Sequence, residues 1–299
     1  MFASRSSRHE NQNLSQPMVC RVVVAGALFF LTVWAGAVGV LKAGEPYLVF
    51  NTALSRSYTA QPDPTLFESR VFPSGSHASL NALVLEHADD DDRYWILFCP
   101  SAGSSTQVRD VQHQLEQLWT LGYNVFAFDY RGFGESAGDP TEQGLYDDAL
   151  AAYRHLMQSE RVPATRIILA GRSLGSAVAV DLATRVPAAG LILFAPIDSV
   201  PAVAARVYPW APVRLLASYE FDSYAKAATI DLPVVVFHGW PDSYMRPSDA
   251  RALLERFRGQ KLMVTMGGGH HHAGFTDAAA LYRALKKFWP PKAVAASPM

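Results

Sequence analysis

The chain has 299 residues, with 26 lysines and arginines against 27 aspartates and glutamates, a formal net charge of −1 and 49% hydrophobic residues. The charge balance excludes the basic excess typical of nucleic-acid-binding proteins, and the apolar content excludes a largely disordered chain. The two cysteines, Cys20 and Cys99, are far apart and lie beside apolar runs, so they cannot form a disulfide framework. We therefore expect a globular protein.

An uncharged, mostly apolar run extends over Val22–Leu41 near the N-terminus. A helix of this length covers ~30 Å, which is the thickness of the hydrocarbon core of a bilayer. The run therefore predicts one transmembrane anchor over residues 22–41. A cleavable signal peptide is the alternative, because residues 35–37 read Ala-Gly-Ala, a small-residue pattern that fits a cleavage site.

The segment before this run, residues 1–21, carries Arg5, Arg8 and Arg21 against a single acid, Glu10. Positively charged flanks of membrane helices stay in the cytoplasm. We therefore expect a single-pass membrane protein with a cytoplasmic N-terminus and a domain exported to the periplasmic or extracellular side.

Strand-length apolar runs alternate with helix-length amphipathic segments over residues 65–289. This alternation is typical of an α/β fold in which helices cover both faces of a mostly parallel sheet. Residues 42–64 are rich in turn formers and predict a tether and possible docking segment, and residues 290–299 predict a flexible tail. The predicted strands are Glu68–Phe72, Leu80–Glu86, Tyr94–Cys99, Val125–Asp129, Arg166–Ala170, Gly190–Phe194, Pro233–His238 and Lys261–Met266. The predicted helices are Gln107–Leu121, Glu142–Gln158, Leu174–Arg185, Ser248–Phe257 and Ala273–Phe288.

Two departures from regular alternation stand out within this domain. The first two strands are joined by a turn-rich stretch and predict an antiparallel hairpin that precedes the wound part of the sheet. Residues 199–230 interrupt the alternation with several prolines, and long insertions in compact domains are typical of lids over binding sites. Apolar and aromatic side chains of this lid favour an acyl or other hydrophobic group as substrate: Val207, Tyr208, Trp210, Leu215 and Leu216.

A nucleophilic serine is indicated by the pentapeptide Gly171–Gly175, which reads Gly-Arg-Ser-Leu-Gly between a predicted strand and a predicted helix. On a sharp strand-to-helix turn, the hydroxyl of Ser173 would project above the sheet, and the glycines would let strand and helix approach closely. The alternative is that Ser173 only caps the helix beside a packing glycine.

A serine nucleophile needs a histidine base and an acid that orients it, and on this topology they follow in the order serine, acid, histidine. Asp242 follows one predicted strand, and His270 follows the next one after a glycine run, so both would reach the edge that carries the serine. His271 is the second choice of base and Asp198 the rival acid, whereas we expect His238 to pack at a strand end. A metal site in the histidine triplet is disfavoured, since adjacent side chains point in different directions and no further ligand cluster completes it.

Backbone N–H groups must also bind the negative oxygen that develops in the transition state. One is expected from Leu174, directly after the nucleophile. The other is expected from the turn 100–105, whose small residues permit close backbone approach. We choose the N–H of Ser101 there, with Ala102 as the alternative.

Three further stretches complete a family pattern: Asp129–Ser136, which reads DYRGFGES, His238–Asp242, which reads HGWPD, and Gly268–His270. With the pentapeptide at the serine, they resemble the α/β-hydrolase superfamily over residues 68–288, and one branch in particular, the α/β-hydrolase-domain proteins 13 and 17. Several members of that branch carry an N-terminal membrane segment or lipid anchor. We interpret the DYRGFGES stretch as structural, with its aspartate and arginine tying the loop.

The resemblance implies an α/β-hydrolase fold, a catalytic triad of Ser173, Asp242 and His270, and hydrolysis of esters, thioesters or, in some relatives, amides. The chain departs from the family at the first oxyanion turn, where His-Gly-Asn usually precedes Ala-Gly. Here Cys99, Pro100 and Ser101 precede the Ala-Gly pair. Proline fixes φ and has no N–H, whereas the family's glycine is conformationally free.

The sequence thus predicts a membrane-anchored serine hydrolase that acts through an acyl-enzyme on Ser173 and uses neither a cofactor nor a metal. Its expected substrate is a small or lipid-like acyl compound, and no protein partner is indicated. One alternative is a catalytically silent binding module of the same fold, which the altered turn makes conceivable. The other is a peptidase or amidase of this fold.

Overall fold

The computed structural model describes residues 16–57, 59–75, 78–88, 92–242 and 244–292. The predicted segment before residue 16 and the predicted tail beyond residue 292 lie outside these ranges. The strands are β1 Glu68–Ser74, β2 Ala78–Leu85, β3 Trp95–Cys99, β4 Asn124–Phe128, β5 Ile167–Arg172, β6 Gly190–Phe194, β7 Val234–Gly239 and β8 Lys261–Met266. The helices are α1 Gln16–Phe50, α2 Thr52–Ser55, α3 Arg109–Thr120, α4 Glu142–Gln158, α5 Leu174–Arg185, α6 Val200–Val207, α7 Val213–Leu216, α8 Ser223–Ala227, α9 Pro247–Arg256, α10 Gly269–His272 and α11 Ala278–Lys286.

The described strands form one eight-stranded sheet in the order β1-β2-β4-β3-β5-β6-β7-β8. β1 pairs antiparallel with β2, and β2 pairs antiparallel with β4. The six strands β3 to β8 run parallel to one another. The predicted fold class and the predicted hairpin are therefore confirmed. Each strand lies within two residues of its predicted ends. Because parallel strands end at the same edge of the sheet, the loops after β3, β5, β7 and β8 meet there.

The core consists of two apolar layers, one on each face of the sheet. In β3, Leu97 and Cys99 belong to one layer, and Ile96 and Phe98 belong to the other, as the period of two in a strand requires. Helices α4 and α5 cover the first layer, and α3 and α11 cover the second. The five central strands β3 to β7 are buried at every position, which makes the sheet a rigid platform for its loops.

The chain divides into two compact units, one up to Gly44 and one from Glu45 onward, so the boundary falls within α1. Helix α1 is long and apolar enough to cross a membrane by length and composition, a test that a signal sequence also passes. The length and composition of α1 therefore support the prediction of a transmembrane anchor.

The segment predicted as a tether, residues 42–64, differs from that expectation in its described part. Helix α1 continues to Phe50 and α2 follows directly. Phe50 and Ser55 are fully buried in the second unit, because the aromatic ring of Phe50 packs against Tyr219 and Phe221. These residues are part of the folded domain.

The last predicted helix, Ala273–Phe288, is shorter than expected and begins at Ala278. Gly274 adopts a φ of 90°, which breaks any helix before it. The carboxylate of Asp277 then caps the new helix by accepting the N–H of Ala280 at 2.9 Å. The lid predicted over residues 199–230 contains the three short helices α6, α7 and α8.

Candidate active site

Ser173 lies on the turn between β5 and α5 with φ 50° and ψ −118°. A positive φ is strained for a residue with a side chain and is typical of a nucleophile held above a sheet. An added Cβ at Gly171 would overlap the carbonyl of Gly175, and one at Gly175 would overlap that of Cys99. Within the described residues, the Ser173 side chain forms no capping bond to its helix, which argues against the helix-cap alternative.

His270 lies beside this serine on the loop after β8. Its Nε2 is 3.0 Å from Ser173 Oγ, and its Nδ1 is 2.9 Å from Asp242 Oδ2. The turn that directs the ring passes through Gly268 and Gly269 at φ 100° and 60°, conformations that favour glycine. The structure therefore brings the three predicted residues together in one chain of hydrogen-bonding distances.

The carboxylate of Asp242 is buried and fully engaged. Its Oδ1 accepts the backbone N–H groups of Tyr244 at 2.9 Å and Met245 at 2.8 Å, while Oδ2 faces His270. Burial alone would raise the pKa of Asp242, but the hydrogen bond with His270 and those two N–H groups outweigh it, so the pKa lies below its ordinary value. The group is therefore an anion at neutral pH.

The neighbouring histidines are placed differently. His238 is fully buried at the end of β7, with Nδ1 2.9 Å from Gly239 O and Nε2 3.9 Å from Asp242 Oδ2. Burial lowers the pKa of His238 and favours its neutral form. The ring of His271 lies 5.6 Å from that of His270, and the contacts to serine and acid are made by His270.

The rival acid, Asp198, is engaged elsewhere. Its carboxylate accepts two hydrogen bonds from Arg206 on the lid helix α6, at 3.0 and 3.1 Å, and one from the N–H of Ser199 at 2.9 Å. It thus ties the lid to the end of β6. Among the residues that the structure describes, no group of three His, Cys, Asp or Glu side chains is placed to hold a metal ion.

The turn after β3 lies against the nucleophile turn, since the carbonyls of Cys99 and Pro100 leave room only for a glycine at position 175. Leu174 is the first residue of α5, where N–H groups have no intrahelical acceptor. The two candidate donors, Ser101 and Ala102, both lie on the facing turn.

The DYRGFGES stretch has the structural role expected for it. The buried carboxylate of Asp129 accepts the N–H of Thr106 at 2.6 Å and its hydroxyl at 3.0 Å. Burial raises the pKa of Asp129 to about 7. Arg131 forms an ion pair with Asp148 at 2.7 Å, and Ser136 Oγ donates to Asp129 O at 2.9 Å.

One residue near the base was missed by the sequence reasoning. Arg172 is buried directly before the nucleophile, and its Nη2 donates to the backbone carbonyl of His270 at 3.2 Å. Burial lowers the pKa of Arg172 to about 10. The available signal was a charged residue two positions beyond the predicted strand Arg166–Ala170 and directly before the serine, because a charge that becomes buried there needs a partner.

Comparison with known sequences gives one family match and two relatives. Residues 93–219 match a family model described as serine aminopeptidase, S33. The uncharacterized protein Rv2307c of Mycobacterium tuberculosis is 37% identical over 270 residues, which cover 86% of this chain and 94% of that protein. Alpha/beta hydrolase domain-containing protein 17B of Homo sapiens is 35% identical over 155 residues, covering 50% of this chain and only 51% of that protein.

Among solved structures, the esterase Pf2001 of Pyrococcus furiosus matches with a TM-score of 0.65 at 17% identity, covering 77% of this chain and 95% of that one. At this identity the likeness concerns the fold. Together these findings support a hydrolase.

Proposed function

The chain belongs to the α/β-hydrolase superfamily, in the branch of the alpha/beta hydrolase domain-containing proteins, and we propose that it is a serine hydrolase cleaving ester or thioester bonds. The observation that carries this proposal is the continuous chain of short distances from Ser173 Oγ through His270 to Asp242, 3.0 and 2.9 Å. These residues would be the catalytic triad.

In the first half-reaction, Ser173 Oγ attacks the acyl carbon while its proton passes to Nε2 of His270. The anionic carboxylate of Asp242 keeps the other ring proton on Nδ1 and stabilises the imidazolium. The negative oxygen of the tetrahedral intermediate accepts N–H groups of Leu174 and of the turn at Ser101. His270 then protonates the departing alcohol or thiol, which leaves an acyl group on the serine.

In the second half-reaction, a water molecule attacks the acyl carbon and gives its proton to the same histidine. The second tetrahedral intermediate collapses, the serine recovers its proton, and a carboxylic acid leaves. This cycle needs neither a metal nor a cofactor.

The lid favours an acyl or other hydrophobic group as substrate. Val207, Trp210 and Leu215 are 47%, 47% and 87% exposed, and large apolar side chains left in solvent indicate an apolar ligand or surface. We further propose that residues 22–41 anchor the protein in a membrane with its N-terminus in the cytoplasm, which would place the domain on the exported side.

A hydrolysis panel tests the proposal. The full chain in detergent is given p-nitrophenyl esters and acyl thioesters of increasing chain length, together with Ser173→Ala. We expect turnover by the wild type and a loss of more than 10³-fold in the variant. Ser159→Ala, at an exposed helix end, serves as the matched control and should match the wild type.

A fluorophosphonate probe separates an enzyme from a silent binding module. Labelling of the wild type but not of Ser173→Ala supports the proposal, and failure to label folded protein would favour the binding module. A second candidate, amide hydrolysis, is favoured by the match to a model described as a serine aminopeptidase. Faster turnover of aminoacyl amides than of esters would select it.

A further inference from the structure

Residues 50–56, which comprise the last residue of α1 and the residues that follow it, contact the turn predicted to bind the oxyanion. Gly103 N–H donates to the carbonyl of Phe50 at 2.9 Å, and Ser105 Oγ donates to the carbonyl of Ser55 at 2.7 Å. Between these bonds, a Cβ added at Gly103 would meet Leu54 at 3.1 Å and Asn51 at 3.4 Å. Residues 50–56 therefore contact the turn through two hydrogen bonds and one apolar contact.

This segment is itself held by other parts of the domain. Phe50 packs edge-on against Tyr219 of the lid, with ring centroids 4.9 Å apart. The hydroxyl of Ser55 accepts the N–H of Gly134 at 3.2 Å. Arg56 donates to the carbonyl of Gly134 at 3.1 Å and to that of Gly132 at 3.2 Å.

The far end of the same turn is fixed independently. Asp129 accepts both the N–H and the hydroxyl of Thr106. The candidate donors, Ser101 and Ala102, directly precede Gly103. The direction of the Gly103 N–H sets the orientation of the peptide group between Ala102 and Gly103, because the peptide unit is planar.

The turn's own hydrogen bond is long, since the N–H of Ser104 donates to the carbonyl of Ser101 at 3.3 Å. The turn also includes Gly103 at φ 64°, a residue with wide conformational freedom. An oxyanion donor stabilises the transition state only when it is aimed before the reaction, since reorientation costs free energy. The contacts from residues 50–56 supply that constraint from outside the turn.

We infer that residues 50–56 are a positioning segment of the active site, which aims the oxyanion donor of the turn at Ser101 and Ala102. The inference rests on the proposed serine hydrolase mechanism. The end of the apolar helix is thus part of the catalytic apparatus as well as a connection to the anchor.

Two variants of the full chain in detergent each remove one contact between residues 50–56 and the turn, one by a substitution in the turn and the other by a substitution in the segment. Ser105→Ala removes the hydrogen bond to the Ser55 carbonyl. Leu54→Ala removes the apolar cover of Gly103 at a side chain that is 43% exposed, so its loss opens no buried cavity. Ser57→Ala is the matched control, because the hydrogen bond that the described residues give Ser57 Oγ is local, to Ala53 O at 3.1 Å.

The kinetic readout distinguishes aiming from general stability. We expect kcat/KM for p-nitrophenyl butyrate to fall about tenfold in Ser105→Ala and Leu54→Ala, part of the 10²–10³-fold loss that removal of a whole donor causes. The inhibition constant of butylboronic acid, whose tetrahedral adduct uses the same donors, should rise by a similar factor. That of an ether analogue of the ester, which forms no adduct, should stay within twofold, and Ser57→Ala should match the wild type.

The inference is overturned if either cutting variant folds with a native near-UV spectrum and keeps wild-type kcat/KM, or if both inhibitors weaken equally. Failure of the proposed function is a separate outcome, because the wild type itself would then neither hydrolyse esters nor react with the fluorophosphonate.

Discussion

Replacing Asp242 with asparagine exchanges one carboxylate oxygen for an NH₂ group and keeps the volume of the side chain. The surroundings decide which oxygen is lost. Oδ1 accepts the N–H groups of Tyr244 and Met245, so the amide oxygen of the variant must stay there. The NH₂ group then takes the position of Oδ2 and donates to Nδ1 of His270.

An imidazole that accepts at Nδ1 carries its proton on Nε2, the atom 3.0 Å from Ser173 Oγ. It can no longer take the proton of the serine, and the charge that stabilised the imidazolium is gone. Loss of the correct tautomer costs about 10⁴-fold in kcat, or ~5.4 kcal/mol of activation free energy.

The assay is steady-state hydrolysis of p-nitrophenyl esters at pH 7 to 8, with thermal unfolding as the check on folding. Asp63→Asn is the control, because that carboxylate is exposed and its Oδ1 accepts the N–H and the hydroxyl of nearby Thr65 at 2.9 and 2.7 Å. It should retain activity within about twofold. Folded Asp242→Asn with more than a tenth of wild-type activity would refute the assigned role of the acid.

Three other predictions concern groups around this site. Burial raises the pKa of Asp129 to about 7, above its unfolded value, so its contribution to stability is present at acidic pH and is lost as the pH rises towards 7. The free energies of unfolding of the wild type and Asp129→Asn should therefore diverge by up to about 1.4 kcal/mol per pH unit between pH 4 and 7. Parallel curves of unfolding free energy against pH would contradict the shift in pKa. Arg172→Met removes the hydrogen bond to the His270 carbonyl and should lower kcat/KM for ester hydrolysis about tenfold. The midpoint of thermal unfolding is measured for the same variant, and an unchanged kcat/KM in folded protein would mean that this hydrogen bond does not position the base. Leu215→Glu alters a side chain that is 87% exposed, so the free energy of unfolding should change by less than ~0.5 kcal/mol. Turnover of long-chain esters should fall relative to turnover of the acetate ester. An equal loss on both substrates would mean that the lid does not recognise the acyl chain.

The strands and most helices could be predicted because their signals are local. A fully buried strand such as β6 reads as an uninterrupted apolar run, and α4 carries its own cap, with Thr141 Oγ1 accepting the N–H of Gly144 at 2.9 Å. The helix predicted from Ala273 was too long, because hydrophobic periodicity does not predict the backbone conformation of a single glycine, and Gly274 adopts a positive φ.

The three residues proposed for catalysis were found from order and position. Ser173, Asp242 and His270 each follow a strand, and strands of a parallel sheet end at one edge. That argument brings the loops together but does not set distances between atoms. The orientation of Asp242 depends on two backbone N–H groups of its own loop, which composition and spacing do not encode.

The α/β fold, the apolar N-terminal run and the loops that bear the candidate site could be predicted from the amino-acid sequence, because they follow from short-range periodicity and from strand order. Three contacts became visible only in the folded chain: residues 50–56 lie on the turn at Ser101, Arg172 donates to the backbone of His270, and Asp198 pairs with Arg206. Such contacts join residues about 50 to 100 positions apart in two of these cases. They arise from the packing of whole elements, and no local pattern of residues specifies which side chains that packing brings within reach.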